Sequence, residues 1–361
     1  MISTLIVILL ITLITLITLH IGLPIFYYIY MKNKEEDFEK YINNEISYPL
    51  VSIIVPTYNE EKNIKDKIDD ILSQNYPKDK IEIILVDSNS TDKTVEIASK
   101  YNVKILKQEK RMGKANALNY ALANAKGEII IITDADSKWV NKDAIKISVN
   151  FLNNKKIGAV TCIKKQYDEK IEKSYRDLYN VIRLGESSIF STSIAHGEFF
   201  AFKKEYLTNF DENMGADDSY ASHKITLNNL RSLAVKEIIC NELVPKKGYF
   251  HWRVRRAQHL VQYFSVAIKD YKKIRNKDYK KIILVEYFLH LINPWLLLLS
   301  IFIGIYLLLL HNLISIILFI IFLVSLISKT VRTWILTQIF LIIAQIKNLY
   351  NKEIIWEKEE K

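Results

Sequence analysis

Two aspartates one residue apart, Asp134 and Asp136, follow four isoleucines at Ile129–Ile132. A β-branched run this short and this apolar predicts a strand buried on both faces of a parallel sheet. Carboxylates at the carboxyl end of such a strand lie where open α/β sheets bind ligands, and they have nothing apolar to do there. Hard oxygen donors in this number suit Mg²⁺ or Mn²⁺, which keeps further positions for the oxygens of a diphosphate. An isolated Asp-x-Asp is as readily a solvated turn, so the chemistry depends on what the rest of the chain brings beside it.

The preceding sequence supplies three similar strands. VSIIVP, beginning at Val51, ends in Thr57-Tyr58-Asn59-Glu60-Glu61, ahead of an amphipathic stretch to Ser73. IEIILV, from Ile81 to Val86, stops at Asp87, and Ser90 or Thr91 can cap the next helix. Val103–Leu106 leads through Arg111-Met112-Gly113-Lys114 into a helix from Ala115 to Ala125. Strands alternating with crossovers predict right-handed βαβ units and a mainly parallel sheet. Thr57 with Glu60, Asp87, and Asp134 with Asp136 then share one sheet edge, the one along which a nucleotide would lie. Lys114 stands at a helix start, where a cation opposes the macrodipole, so a nearby phosphate or base would explain it; Arg111 is a second candidate.

The 361 residues are 50% hydrophobic, but unevenly so. Met1 to Met31 holds no Lys, Arg, Asp or Glu, nor does Ile301 to Ser328. The first stretch lacks the basic start and small-residue cleavage site of a secretory signal and is long enough for a transmembrane helix. Lys32, Lys34 and Lys40 place the chain from Lys32 onward in the cytoplasm. The basic residues from Lys269 to Lys281 mark that side again, ahead of spans expected near 285–310 and 313–328. Trp334 to Ala344 reads as an interfacial helix before a charged cytoplasmic tail, and Glu286 and His290, one turn apart, either as contacts for a lipid-linked acceptor or as polar residues at the interface. The net charge of +10 is spread out or packed beside membrane segments, which points to anionic lipid and not to nucleic acid. Cys162 and Cys240, with no ligand-type spacing, indicate neither a disulfide framework nor a zinc site.

VSIIVPTYNEE, VDSNSTD, GKANALN and TDAD resemble, in order, motifs of the inverting family-2 glycosyltransferases, which use the GT-A fold. His196 to Phe202 is similar to that family's acceptor-side loop and strand, and Gly215-Ala216-Asp217-Asp218 to its Glu-Asp motif, with Asp217 in place of Glu. The resemblance spans Leu50 to about Gln258. It implies that Asp87 accepts from a uracil imide or ribose hydroxyl, and that Thr57 and Glu60 touch base and ribose. It further implies Asp136 as metal ligand and Asp134 as partner to ribose or metal. One of Asp217 and Asp218 has a helix-cap alternative; the family pattern makes Asp218 the general base. His251 to Gln258 occupies the place of the Gln-x-x-Arg-Trp motif of processive members, with Trp252 at the Gln position and Arg255 and Arg256 at the Arg-Trp positions. Arginines still suit a leaving diphosphate and Trp252 a sugar face, but support for processive synthesis is lost.

The expectation is therefore an α/β chain of GT-A type, a mainly parallel sheet flanked by helices, with transmembrane helices at both ends. Residues 1–31 form the first helix, 49–268 the catalytic domain and 269–361 the membrane region. The chain would move a sugar from a nucleotide donor, expected to be a UDP-sugar, to a hydroxyl of a lipid-linked or growing glycan, with Mg²⁺ or Mn²⁺. Rival readings are transfer to a polyprenyl phosphate, a processive synthase, and a non-catalytic membrane scaffold or sugar-nucleotide sensor.

Overall fold

The structure, a computed structural model, describes residues 2–34, 38, 47–165, 170–245 and 247–353. The polar connector expected over 35–48 and the charged tail fall largely outside these residues. In chain order the elements are α1 (Ile2–Ile17), α2 (Leu23–Lys32), β1 (Val51–Thr57), α3 (Ile64–Leu72), β2 (Ile81–Asp87), α4 (Thr94–Ala98), β3 (Lys104–Lys107) and α5 (Lys114–Asn124). Then come β4 (Ile129–Ile132), β5 (Ser137–Trp139), α6 (Ala144–Leu152), β6 (Ile157–Lys165), α7 (Lys170–Ile189), β7 (Phe200–Lys203), α8 (Asp217–Leu227) and β8 (Arg231–Glu242). The last are α9 (Tyr249–Ala267), α10 (Lys277–Tyr287), α11 (Asn293–Leu309), α12 (Leu313–Ser325) and α13 (Lys329–Tyr350).

One sheet in the order β3-β2-β1-β4-β7-β6-β8-β5 forms the centre. The expected parallel block is β3-β2-β1-β4, β6 and β8 are also parallel, and β7 and β5 run opposite to their neighbours. The strands read as continuous apolar runs because both faces are covered. Val51, Ile53, Val55, Ile129 and Ile131 pack with α3 and α6 on one side. Ile54, Ile130 and Ile132 pack with α5 and α8 on the other.

Register then sets the site. Thr57 lies opposite Asp87, and Ile132 opposite Ile54, so the chain leaving β4 enters Asp134-Ala135-Asp136 level with Thr57 and Asp87. Three strand ends thus meet in one row at the carboxyl edge.

Among the described residues two helices are long and apolar enough to cross a membrane, Thr4–Lys32 and Lys277–Leu309. Leu10 and Leu13 of the first pack on Leu307 of the second. The span expected near 313–328 appears as α12, whose 13 residues rise about 20 Å, short of a roughly 30 Å hydrocarbon core. It breaks into α13 with a bend of 104°. α13 lies against α9, with Phe340, Leu341 and Ala344 on Val254, Ala257 and Val261. At the other end, α2 presses on α7 so closely that a Cβ on Gly185 would stand 2.3 Å from the Met31 carbonyl oxygen.

Candidate active site

The loops after β1 and β2 are laced together. Asn59 and Asn89 take left-handed conformations, φ 55° and 64°, which asparagine tolerates better than most residues. The Asn59 amide donates to Ser90 Oγ at 2.8 Å, the Thr91 amide to Asn59 Oδ1 at 2.8 Å, and the Glu60 amide to Thr94 Oγ1 at 2.7 Å. Thr57 donates its hydroxyl to the Val86 carbonyl at 3.1 Å, and Glu60 accepts from Asn63 Nδ2 at 2.7 Å. Neither Ser90 nor Thr91 caps α4, whose N-cap is Lys93; Asp92, just ahead of it, accepts the Thr94 amide on Oδ1 at 3.0 Å. Asp87 is 3% exposed. Its Oδ2 accepts the Ser90 amide at 3.1 Å, while its Oδ1 is buried and accepts no hydrogen bond. Ser88, rather than Asp87, lines the cleft above.

That cleft, of about 750 Å³, gathers the other residues expected to be catalytic, donor-binding or metal-ligating: Thr57, Glu60, Arg111, Lys114, Asp134, Asp136, Asp217, Asp218, Arg255 and Arg256. At its centre, Lys114 Nζ lies 2.7 Å from Asp134 Oδ1 and 4.0 Å from Asp217 Oδ2. The position of Lys114 at a helix start is thus explained by carboxylates of the chain itself. Burial opposes its charge, but Asp134, Asp217 and Asp218 outweigh burial and hold its pKa well above the usual lysine range. Burial, with Asp218 and Asp134 adding to it against Lys114, pushes the Asp217 carboxyl up to about 7.

Asp217 and Asp218 occupy the first turn of α8, whose N-cap is Ala216, so neither is the cap. Asp218 Oδ1 accepts the Ser219 amide at 2.7 Å. Its Oδ2 faces Gly197, where a Cβ would stand 3.3 Å from it, 2.6 Å from Lys114 Nζ and 3.4 Å from Asp134 Oδ2. Gly197 therefore marks the point at which three charged groups converge.

The Asp134–Asp136 turn can hold a divalent cation only in a particular manner. Among the described residues no group of three or more His, Cys, Asp or Glu side chains forms a metal cage. Two half-buried carboxylates, one of them shared with Lys114, fit a hard cation that takes its remaining ligands from phosphate oxygens and water.

Arginines line the far wall. Arg255 is 7% exposed, Arg256 stacks on Trp252 with its Cζ 4.8 Å from the ring centroid, and Arg111 stacks on Tyr58 at 4.1 Å. Trp252 itself is 1% exposed, so the arginine covers the face that a sugar would need.

Sequence reasoning missed the buried charges in this wall, Lys164, Glu198 and Arg183, and those behind it. Lys164 pairs with Glu198, next to Gly197. Arg183 binds Glu186 at 2.8 Å and Glu286 at 2.9 Å, and Tyr27 donates to Glu186 at 2.7 Å. Glu286 and His290 are hence fully interior, 0% and 1% exposed, rather than interface residues. The one sequence signal was Lys164, a charge closing the apolar run IGAVTCI.

Residues 52–210 match the family model for Glycosyl transferase family 2. The structure of mannosyltransferase PcManGT from Pyrobaculum calidifontis, in complex with GDP-Man and Mn²⁺, is 38% identical and superposes with a TM-score of 0.85, covering 96% of this chain and 100% of that one. The poly-beta-1,6-N-acetyl-D-glucosamine synthase of Staphylococcus epidermidis is 28% identical over 248 residues, 64% of this chain and 60% of that protein. The probable glycosyltransferase YdaM of Bacillus subtilis is 32% identical over 134 residues, 35% of this chain and 32% of that protein. The matched regions thus span 60% or less of the length of these two curated relatives. A solved relative similar along its whole length, and a family model that runs from β1 to β7 through the strand ends that build the cleft, establish that the chain has the GT-A fold and belongs to glycosyl transferase family 2.

Proposed function

We propose that this protein is a membrane-anchored inverting glycosyltransferase that moves a sugar from a nucleoside-diphosphate donor to a hydroxyl of a lipid-linked or growing glycan acceptor. The observation that carries the reading is the convergence at Gly197 of Asp218 Oδ2, Lys114 Nζ and Asp134 Oδ2. Inverting transfer is one displacement at the anomeric carbon. The acceptor oxygen forms its bond as the bond to the diphosphate oxygen breaks, and the acceptor proton passes to a base. Asp218 Oδ2 takes that proton. Asp217 and Asp134 hold Lys114, whose charge faces the departing diphosphate together with Arg255 and Arg256. Asp136 and Asp134 would hold a divalent cation, Mg²⁺ or Mn²⁺, which when bound supplies further positive charge to the leaving group. Thr57, Glu60 and Arg111 serve the nucleoside side, and Asp87, which does not line the cleft, joins them only if the bound donor uncovers its buried, unsatisfied Oδ1.

The GDP-Man and Mn²⁺ held by a relative of 38% identity put GDP-mannose ahead of the UDP-sugar expected from the sequence alone. In the membrane, residues 1–31 and the helix ending at Leu309 are read as spans with the catalytic domain, 49–268, in the cytoplasm. The bent pair α12 and α13 in the region 269–361 doubles back to the same side.

The test is nucleotide release by full-length protein in detergent against GDP- and UDP-sugars, with Mn²⁺, Mg²⁺ or chelator, for wild type and Asp218→Asn. Metal-dependent release from one donor is expected, stimulated by lipid extract in wild type alone. Stimulation that survives in Asp218→Asn would instead identify a phosphate acceptor, which is already ionised and needs no base. Absence of both release and donor binding under every condition refutes the enzyme reading.

A further inference from the structure

Lys67 breaks the pattern of its own helix. Ile64, Ile68 and Ile71 of α3 face the core, and Lys67 lies among them, 1% exposed, where an apolar side chain would carry no desolvation cost. Its ammonium donates to Thr133 Oγ1 at 3.2 Å and to Ser137 Oγ at 3.2 Å, lies 3.5 Å from Asp70 Oδ2, and sits 5.1 Å from the centroid of the Trp139 ring. Thr133 immediately precedes Asp134-Ala135-Asp136 and Ser137 immediately succeeds it.

The two anchors continue outward. Ser137 Oγ donates to the Asp134 carbonyl at 2.8 Å, and Thr133 Oγ1 donates to the carbonyl of Glu198, the residue after Gly197, at 2.8 Å. Asp70 Oδ2 in turn accepts the Trp139 amide at 2.9 Å. One buried cation therefore grips both ends of the turn that bears the two carboxylates, and its neighbours tie that turn to the acceptor-side loop and to β5.

We infer that Lys67 is a positioning residue for the divalent cation: it fixes the separation of Thr133 and Ser137, and so the spacing and aim of Asp134 and Asp136. The inference rests on the cation-diphosphate reading above. A peg that merely supported the fold would affect stability and leave cation affinity alone, whereas a group that orients ligands from behind changes metal affinity, commonly by about 10- to 100-fold.

The experiment is Mn²⁺ binding to the full-length protein in detergent, monitored by the electron paramagnetic resonance signal of free Mn²⁺ in the presence of GDP or UDP. Thermal unfolding is recorded on the same samples. Lys67→Met is expected to weaken Mn²⁺ binding about 10-fold and to leave nucleotide binding without Mn²⁺ unchanged. Thr133→Val keeps Lys67 paired with Asp70 and Ser137 and is expected to lose several-fold in the same direction; it keeps the test open if Lys67→Met does not fold. A folded Lys67→Met or Thr133→Val that binds Mn²⁺ as tightly as wild type, with only its unfolding temperature lowered, overturns the inference. Wild type that binds no Mn²⁺ with either nucleotide refutes the cation reading itself and takes this inference with it.

Discussion

Adding one methyl group to the floor of the cleft, as Gly197→Ala, tests whether Lys114 must stand where it does. The new Cβ would lie 2.6 Å from Lys114 Nζ. Ordinary nonbonded contacts are about 3.5–4.0 Å, so the ammonium has to retreat by roughly 1 Å. Its 2.7 Å pair with Asp134 then opens. The contacts to Asp218 Oδ2 and Asp134 Oδ2, at 3.3 and 3.4 Å, are tight but need only small adjustments. Gly197 is not among the residues with positive φ, so alanine adds no backbone strain, and the group displaced is the flexible end of a side chain. A displacement near 1 Å at reacting groups costs on the order of 100-fold in rate. The expected result is therefore a loss of turnover of about that size with an unfolding temperature close to wild type, read as single-turnover nucleotide release and sugar transfer in detergent. In a Lys114→Met background, where no ammonium remains to displace, the same change should cost much less. Gly197→Ala turning over at the wild-type rate would refute both the placement of Lys114 and the convergence on which the mechanism rests.

Three further outcomes are expected. Asp136→Asn should remove metal-dependent turnover while the protein still folds, and normal turnover by that variant would dismiss Asp136 as a ligand. Arg183→Met would leave Glu186 and Glu286 buried against each other. A loss of about 3–5 kcal/mol is expected by denaturant unfolding, and wild-type stability would contradict the burial described. Burial lowers the His223 pKa from 6.5 to about 4. As the pH falls through 6.5 the unfolded chain therefore takes up a proton that the folded chain refuses, and stability is lost between about 6.5 and 4, on the order of 3 kcal/mol in all. Unfolding midpoints measured across that range should slope downward with falling pH and become shallower in His223→Gln, the buried His259 and His196 keeping the remainder; a slope equal to wild type would remove His223 as a contributor.

The parallel half of the sheet and the cleft residues were legible because each rests on a local signal. Val51–Pro56, Ile81–Val86 and Ile129–Ile132 are apolar runs ended by polar residues, and strand register alone then brings Thr57, Asp87 and Asp134 level. What the sequence hid depends on partners far along the chain. Lys67 looks like one more solvated helix lysine until Thr133 and Ser137 are found above it. Glu286 looks interfacial until Arg183, 103 residues earlier, is found against it. The short β5 was not legible either, since three residues carry too little periodicity and β8 supplies the pairing. Likewise, hydropathy cannot tell a short span from the bent pair α12 and α13, because both are apolar and the difference lies in a break at Leu326–Ser328.

The grip of α7 on the helices at both ends of the chain carries a consequence for biosynthesis. Tyr27 leaves the ribosome 159 residues ahead of Glu186, and Arg183 leaves 103 residues ahead of Glu286. During translation the catalytic domain can form its sheet, yet α7 cannot settle until α10 has been made and brought back beside α2. A nascent chain stopped after residue 268 would hold Glu186 and Arg183 with Tyr27 but without Glu286. The enzyme is therefore completed from its last third backward, because α10 supplies the Glu286 that seats Arg183, a residue of the cleft lining.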